Sequence, residues 1–567
     1  MNPADVPMPN ADAEDVSKSS APPVGESEGE EESQGFDFTD PNSPLAPYYF
    51  QASHVVAAIL LLLALFVYST FKLVHSDLWG HMKFGEYIVA ERALPPHDMF
   101  SPYSDPDQPY VGYMWLSQVT LYLVYQAGAA LGGPAGGGEM LRTFHAVLTC
   151  VKLLLLLLAY RRACGSMPLA IVGLVLLLVQ NFWPFSVQRP QVFGELFFAW
   201  TLYLLSGPLT WRGVLLLPLL VAAWANFHGS YLLGVGLMGI FLVGRVIEAG
   251  WRDRQTWLLA LVIAVSPLAI GLTHPGGFGI LWATLRFSSL PNVLTVDEWQ
   301  PLDFHRATGG HWGYLAILVL VVLSQTFSRA VLSPTRVLLL LVFGIAPLFQ
   351  ERLMMWWVLL VPWIVLPLWR DFARSMPAWL HVESTPSFRK TLFCLALAVI
   401  ALIWTGAGQL VIGNPVEPLK DMVTPVTPVN FMKHQVEGDP AWAKALADYP
   451  HQKFTGNMFT PDNLGDYPIW VQAKDAPVLV YSHVQFFPPG HWDDFLTMLK
   501  ARPGWQELFR RFRVNMVWIE PDKQTELAEA IRANPAEWTV LFDDTRPGEG
   551  SPRALFKRFV ALRKKPL

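Results

Sequence analysis

The chain has 567 residues, 52% of them hydrophobic and only 15% charged, with 23 tryptophans, a balance that excludes an ordinary soluble enzyme and fits a polytopic membrane protein with indoles at the headgroups. The net charge of −5 comes from the N-terminus, where Glu26, Glu28, Glu30, Glu31 and Glu32 face the single base Lys18. The remainder is slightly basic, and nothing indicates a nucleic-acid partner.

Residues 1–50 are acidic and rich in Pro, Ser and Gly, which reads as a disordered cytoplasmic tail rather than a cleavable signal peptide. Taking about 20 apolar residues per span, the chain then offers eleven candidate spans: 53–73, 140–160, 168–184, 190–206, 213–228, 230–247, 256–272, 312–328, 336–350, 353–369 and 391–412. The run 111–131 is an ambiguous twelfth, interrupted by Ser117, Gln118, Thr120 and Gln126 and ending in the glycine-rich Gly132 to Gly138. Beyond Gly413 the composition becomes that of a soluble domain. Short β-like runs (Pro477 to Tyr481, Val514 to Glu520, Trp538 to Phe542, Ala554 to Val560) alternate with helical patterns (Pro440 to Asp448, Asp522 to Ala533). The expected organisation is therefore a tail over 1–50, a transmembrane domain over 51–413 with a large first loop at 74–139, and an α/β domain over 414–567.

The basic loops decide the orientation, because cytoplasmic loops collect Lys and Arg. If 111–131 does not cross, Arg161 and Arg162, Arg212, Arg252 and Arg254, Arg329, and Arg370, Arg374, Arg389 and Lys390 all fall in the cytoplasm. The N-terminus is then cytoplasmic and the C-terminal domain extracytoplasmic, in the cytoplasmic (inner) membrane. All the unusual polar loops fall on the opposite side, as a single site at one membrane surface requires.

His75-Ser76-Asp77-Leu78-Trp79-Gly80-His81 follows the first span directly. Leu78 to Arg92 suits a helix along the membrane surface, which Ser76 or Asp77 would cap. The alternative is a general base or a metal ligand, with His81 at i+4 from Asp77 on the same face. Farther along the loop Asp98 is a second carboxylate, in a segment whose prolines also explain turns. Arg189 before Pro190, and Arg352 beside Glu351, are arginines on the side opposed to the positive-inside bias. Phosphate contact and headgroup snorkelling both suit them, and Arg352 has Glu351 as a further candidate ion-pair partner. Asn226 and His228 sit at a tight turn between two spans, His274 precedes Pro275 and Gly276, and Asp297-Glu298 follows a surface-helix pattern over Phe278 to Ser288. Each of these side chains has a loop-forming reading beside the site reading.

The three cysteines show no CxxC spacing, and GxxxxGK[ST], HExxH and GxSxG are absent, so zinc frameworks, disulfides, ATP-driven transport, zinc proteolysis and lipase chemistry lose their usual support.

With these pieces placed, the chain resembles the GT-C superfamily of polytopic glycosyltransferases, which includes protein O-mannosyltransferases, aminoarabinose transferases and oligosaccharyltransferase catalytic subunits. It looks most like a bacterial branch described only as membrane proteins with a glycosyltransferase-like domain. The resemblance spans about residues 50 to 567. It is carried by Asp77-Leu78-Trp79-Gly80-His81 with Gly85, Pro95 to Ser101, Trp115-Leu116, Arg189-Pro190, Trp224-Ala225-Asn226-Phe227-His228-Gly229, Glu298-Trp299 and Arg352. It implies a GT-C-like helical fold, a polyprenyl-phosphate-linked sugar donor held in the lipid bilayer, and transfer to a glycan, lipid or protein acceptor at the extracytoplasmic face. It also implies an essential acidic residue in the first loop, matched here by Asp77. Asp77 lacks the second carboxylate of the usual DxD, DE or ED pairs, which leaves a divalent metal an open question. On this reading Asp77 and His81 are catalytic, and Arg189, Asn226, His228, His274, Glu298, Arg352 and Asp98 bind substrate. The alternatives are a transporter or flippase of a lipid-linked or anionic substrate, marked by charges deep inside spans, and a non-catalytic scaffold.

Overall fold

The computed structural model describes residues 43–71, 73, 77–305, 311–374, 385–414, 456–472, 477–543, 545, 559–565 and 567. His75 and Ser76, nearly all of the acidic tail, and the helical pattern at 440–448 lie outside the described residues.

Every one of the eleven apolar runs is helical. In chain order the helices are α1 (Ala52–Thr70), α2 (Asp77–Glu91), α3 (Trp115–Cys164), α4 (Met167–Asn181), α5 (Gln191–Leu205), α6 (Trp211–Phe227), α7 (Tyr231–Ala249), α8 (Arg254–Thr273) and α9 (Gly279–Phe287). They continue with α10 (His311–Phe327), α11 (Pro334–Ile345), α12 (Met354–Arg374), α13 (Phe388–Trp404) and the short α14 (Gly406–Val411). Among the described residues, five stretches are long and apolar enough to cross a bilayer: Ala52–Thr70, Trp115–Cys164, Tyr231–Ala249, Arg254–Thr273 and Glu351–Arg370. The other apolar helices are shorter, so helix length alone gives a smaller number of crossings than the eleven expected from hydropathy.

The ambiguous run 111–131 is also helical, and the glycine-rich stretch after it is a helix break rather than a loop. Gly132 and Gly133 leave helical geometry, Gly133 at φ +61°, and Pro134 then starts the second half of α3. The halves fold back on one another: a Cβ on Gly128 would overlap the backbone of Gly136, and one on Gly137 would overlap the ring of Tyr125.

Contacts between helix ends sort the bundle into two poles. At one pole Arg162 donates to the Tyr203 carbonyl (2.8 Å), the Gly165 turn lies against Arg370, Thr335 donates to Glu248 (3.0 Å) and Ser328 donates to the Leu368 carbonyl (2.8 Å). That pole holds the basic loops. The opposite pole gathers the starts of α2, α5 and α12, the end of α6 and the segment after α9, and the C-terminal domain sits there.

The C-terminal domain is α/β, as its composition predicts. Its four-stranded sheet has the order β1-β2-β4-β3, with β1 (Asn457–Phe459) parallel to the wholly buried β2 (Val514–Ile519). The strands β3 (Trp538–Asp543) and β4 (Phe559–Arg563) complete it antiparallel. The helices are α15 (Asp466–Gln472), α16 (Pro489–Leu499), α17 (Trp505–Arg511) and α18 (Thr525–Arg532). The β-like run 477–481 is not a ladder strand; only Val478 makes an isolated bridge, to Met458. The domain docks through aromatic packing, with Phe84 against Phe486 and Tyr103 against His491, and through polar contacts. Asn292 donates to the carbonyls of Val484 (2.9 Å) and Phe487 (2.8 Å), Trp492 donates to Thr295 (2.7 Å), and the Asp105 N–H donates to the Phe486 carbonyl (2.7 Å).

Candidate active site

Between the polar pole of the bundle and the C-terminal domain lies a cleft of about 790 Å³. One wall carries Asp77, His81, Arg189, Asp297, Glu298 and Arg352, and the other carries Asp462, Ser482, His483, Glu520 and Lys523.

Asp77 is the first residue of α2, where a carboxylate is favoured by the unpaired N–H groups and the helix dipole. The helix expected over Leu78 to Arg92 forms, and its apolar face is covered by protein. Leu78, Trp79, Met82 and Phe84 are all buried, because α2 is sandwiched between the first half of α3 and the C-terminal domain. The Trp79 ring meets Tyr125 at 6.3 Å and Tyr467 of α15 at 5.1 Å, both edge-to-face. The two glycines of α2 explain how both neighbours come so near. A Cβ on Gly85 would overlap the Gln118 carbonyl, and a Cβ on Gly80 would overlap the Asp466 carboxylate.

His81 is buried one turn after Asp77, with Nδ1 3.2 Å from the Gln118 amide nitrogen. The Gln118 carbonyl oxygen already accepts from the Tyr110 hydroxyl, so its NH₂ group faces the imidazole and donates to Nδ1. The proton of neutral His81 is thereby placed on Nε2.

The two arginines come from different elements and share one counter-ion. Arg189 donates to Glu298 at 2.6 Å, and Arg352 approaches the other oxygen of Glu298 at 3.8 Å while resting over the Trp299 ring at 5.3 Å. Arg352 therefore pairs with Glu298 rather than with its sequence neighbour Glu351. Asp77 acts electrostatically on both guanidiniums. Burial works against the Arg189 charge, but Glu298, Asp77 and Glu195 outweigh it and hold its pKa above the ordinary value. His228 feels Arg352, Arg189 and His81 as well, and its Nδ1 accepts from the Ser230 N–H (3.1 Å).

His228 does not line the cleft, and three further expected site residues stand elsewhere, each occupied in holding a loop. Asp98 is buried and accepts from the Phe100 N–H (3.0 Å) and from Ser104, an Asx turn on which the first loop rests against Tyr481. Asn226 accepts from Trp115 Nε1 (2.8 Å) and donates to the Ala222 carbonyl (2.8 Å), tying α6 to α3. His274 accepts from the Gly276 N–H (3.0 Å) and donates to the Gly112 carbonyl (3.3 Å), closing the turn after α8. None of the three lines the cleft.

The C-terminal wall was not expected to carry chemistry. Asp466, wholly buried, accepts from the Ser482 hydroxyl (2.8 Å) and N–H (3.1 Å) and lies 3.9 Å from His483 Nδ1. Burial, and then the nearby Asp77, push the Asp466 carboxyl well above the usual range. Burial lowers the basicity of His483, with its neighbour His81 acting in the same direction. Asp462 is pushed up to about 6, chiefly by burial. Thr460-Pro461-Asp462-Asn463-Leu464-Gly465-Asp466 reads locally as turn chemistry, and only the fold reveals that it faces Asp77. Among the described residues no three His, Cys, Asp or Glu side chains converge as a metal-holding group.

A second ionic pair lies inside the bundle. Lys152 of α3 donates to Glu195 of α5 at 2.5 Å, fully buried, with the ammonium 3.5 Å from the centre of the Phe185 ring.

No family model matches the chain, and no curated protein does. Among solved structures it is similar to the apo oligosaccharyltransferase of Archaeoglobus fulgidus, at 13% identity over 82% of this chain and 69% of that one, with a TM-score of 0.48. It is similar to ArnT from Cupriavidus metallidurans bound to undecaprenyl phosphate, at 13% identity over 90% of this chain and 98% of that one, with a TM-score of 0.44. It is similar as well to apo ArnT from the same organism, at 14% identity over 90% and 98% and a TM-score of 0.46.

Proposed function

We propose that the chain is a membrane glycosyltransferase that takes a sugar from a polyprenyl-phosphate donor and transfers it to an acceptor hydroxyl at the extracytoplasmic face. The observation that carries this reading is one cleft in which a carboxylate, Asp77, faces two guanidiniums, Arg189 and Arg352, at the pole opposite the basic loops.

A lipid phosphate brings its own negative oxygens, so its site needs fixed positive charge and no nucleotide fold. Arg189 and Arg352 hold the phosphate, with Glu298 yielding part of its share of both. Asp77 accepts the proton of the acceptor hydroxyl as that oxygen attacks the anomeric carbon. The bond from that carbon to the phosphate oxygen breaks, and the electron pair leaves on the phosphate, where the guanidiniums stabilise it. Attack from the face opposite the leaving group inverts the anomeric centre. His81 lies one helical turn from Asp77 and orients it. The polyprenyl chain lies among apolar side chains of the bundle below the cleft.

The test is Asp77→Asn in the full-length protein, assayed with a labelled polyprenyl-phosphate sugar. Removing a positioned base lowers the rate by about 10² to 10⁴-fold, and the thermal midpoint stays near that of the parent. Full activity in this variant discards the assignment of Asp77 as base.

A further inference from the structure

His483 raises a question that the donor side of the cleft does not answer. It lines the cleft from the C-terminal domain, is only 5% exposed, and its Nε2 is buried with no hydrogen-bond partner among the described residues. Leaving a buried polar atom unpaired is costly, and a phenylalanine of the same shape would avoid the cost. The apolar neighbours would accept one: Phe84 packs on the ring at 4.9 Å, and Phe486 stacks on it at 6.1 Å with an interplanar angle of 8°. The imidazole is also held in place. Ser482 Oγ lies 3.3 Å from Nδ1 and is itself bonded to the buried Asp466, so Nδ1 is occupied and Nε2 is the end left over. The ring stands edge-on to His81 with centroids 4.6 Å apart, beside the proposed base.

We propose that His483 is the acceptor-binding residue of the site: its Nε2 makes a hydrogen bond to the acceptor hydroxyl and turns that hydroxyl toward Asp77. This rests on the glycosyltransferase reading above and assigns the acceptor side of the same cleft to the C-terminal domain. A hydroxyl both donates and accepts, so it satisfies Nε2 whichever way the Asp466, Ser482 and His483 chain is polarised. Hydrogen bonds of this kind are commonly unmade in the empty enzyme and form in the complex. Gly80 is the feature of α2 that allows this arrangement, since any side chain there would push Asp466 away.

The experiment compares full-length His483→Phe, which keeps the ring and removes its nitrogens, with His483→Gln, which keeps a polar atom near Nε2. Two quantities are read: the partition of a labelled polyprenyl-phosphate sugar between transfer to membrane acceptors and hydrolysis by water, and the thermal midpoint. His483→Phe is expected to lose transfer by roughly tenfold or more, keep hydrolysis, and melt at or above the parent temperature. His483→Gln is expected to recover part of the transfer. A lower midpoint for His483→Phe means that Nε2 is bonded in the resting protein, which overturns the proposal. So does unchanged transfer, or a parallel fall in transfer and hydrolysis with no rescue by Gln. A parent protein that neither binds polyprenyl phosphate nor consumes the labelled donor defeats the donor reading instead. The midpoint comparison then decides the role of Nε2 by itself.

Discussion

Two ionic systems begin six residues apart on the same stretch of chain and have opposite surroundings. Glu195, inside α5, faces Lys152 in a sealed pair 0% and 5% exposed, capped by the Phe185 ring. Arg189, just before α5, shares Glu298 with Arg352 at the cleft, where the three side chains are 17%, 40% and 28% exposed. The charges are of the same kinds, but the access differs. A sealed pair has satisfied each charge with the other and leaves no room for a ligand. In the open system the two guanidiniums share Glu298 and also feel Asp77, and they stay within reach of an anion that enters the cleft. Access, more than the presence of charge, separates an internal tie from a binding site.

Breaking the sealed pair gives the largest expected effect on stability. Lys152→Ala leaves Glu195 buried without its partner and costs about 3–5 kcal/mol, read as a fall in the thermal midpoint and in the yield of folded protein. Replacing both partners with apolar residues of similar volume, Lys152→Met with Glu195→Leu, is expected to recover most of that loss and to keep transfer per folded molecule. Loss of transfer in the well-folded double variant would mean that the buried charges take part in turnover, which favours the transport alternative.

The open system is expected to respond in ligand binding rather than in folding. Arg189→Ala should weaken polyprenyl phosphate binding by about ten- to a hundredfold, the worth of a charge-assisted hydrogen bond. Glu298→Gln is expected to tighten it, because both guanidiniums lose their competitor. Isothermal titration or native mass spectrometry of the detergent-solubilised protein reads both. Equal binding in the two variants would make Glu298 and the arginines a second internal tie, no different in kind from Lys152 and Glu195.

The same contrast shows which parts of the molecule the sequence discloses. The helices were legible because a bilayer imposes a minimum apolar length, and the basic loops matched one pole of the bundle because they alternate along the chain. Residues that stood out at span ends, Asp77, His81, Arg189, Glu298 and Arg352, are the ones that line the cleft. Asp98 and His274 stood out equally, yet each is paired with a backbone N–H two residues on, a turn pattern that proximity in sequence already encodes. Lys152 and Glu195 do not stand out in the sequence, because single charges in long apolar runs do not alter a hydropathy window. Asp462, Asp466 and His483 were illegible as site residues, because their role depends on a domain docking that no local pattern records. Gly80 was visible as part of a motif, but only the approach of Asp466 explains why it is glycine.

Asp462 offers the smallest effect and the sharpest control, since it is a cleft carboxyl governed chiefly by burial. Its pKa is raised from 3.8 to about 6, with Asp297 adding to the shift and its own N–H, that of Asn463, and Lys523 opposing it. The folded protein therefore binds this proton more tightly than the unfolded chain. The resulting stabilisation is complete below about pH 4 and is lost as the pH rises through about 6. Asp462→Asn has no such proton, so it should gain on the parent protein across that window, by about 1 kcal/mol for a group with partial solvent access. Thermal midpoints of both proteins at pH 4, 5, 6 and 7.5 measure the difference directly. A constant difference across the series would show that the carboxyl is as well solvated as an ordinary surface aspartate. The C-terminal wall would then differ from the arginine wall in charge alone, and not in its access to water.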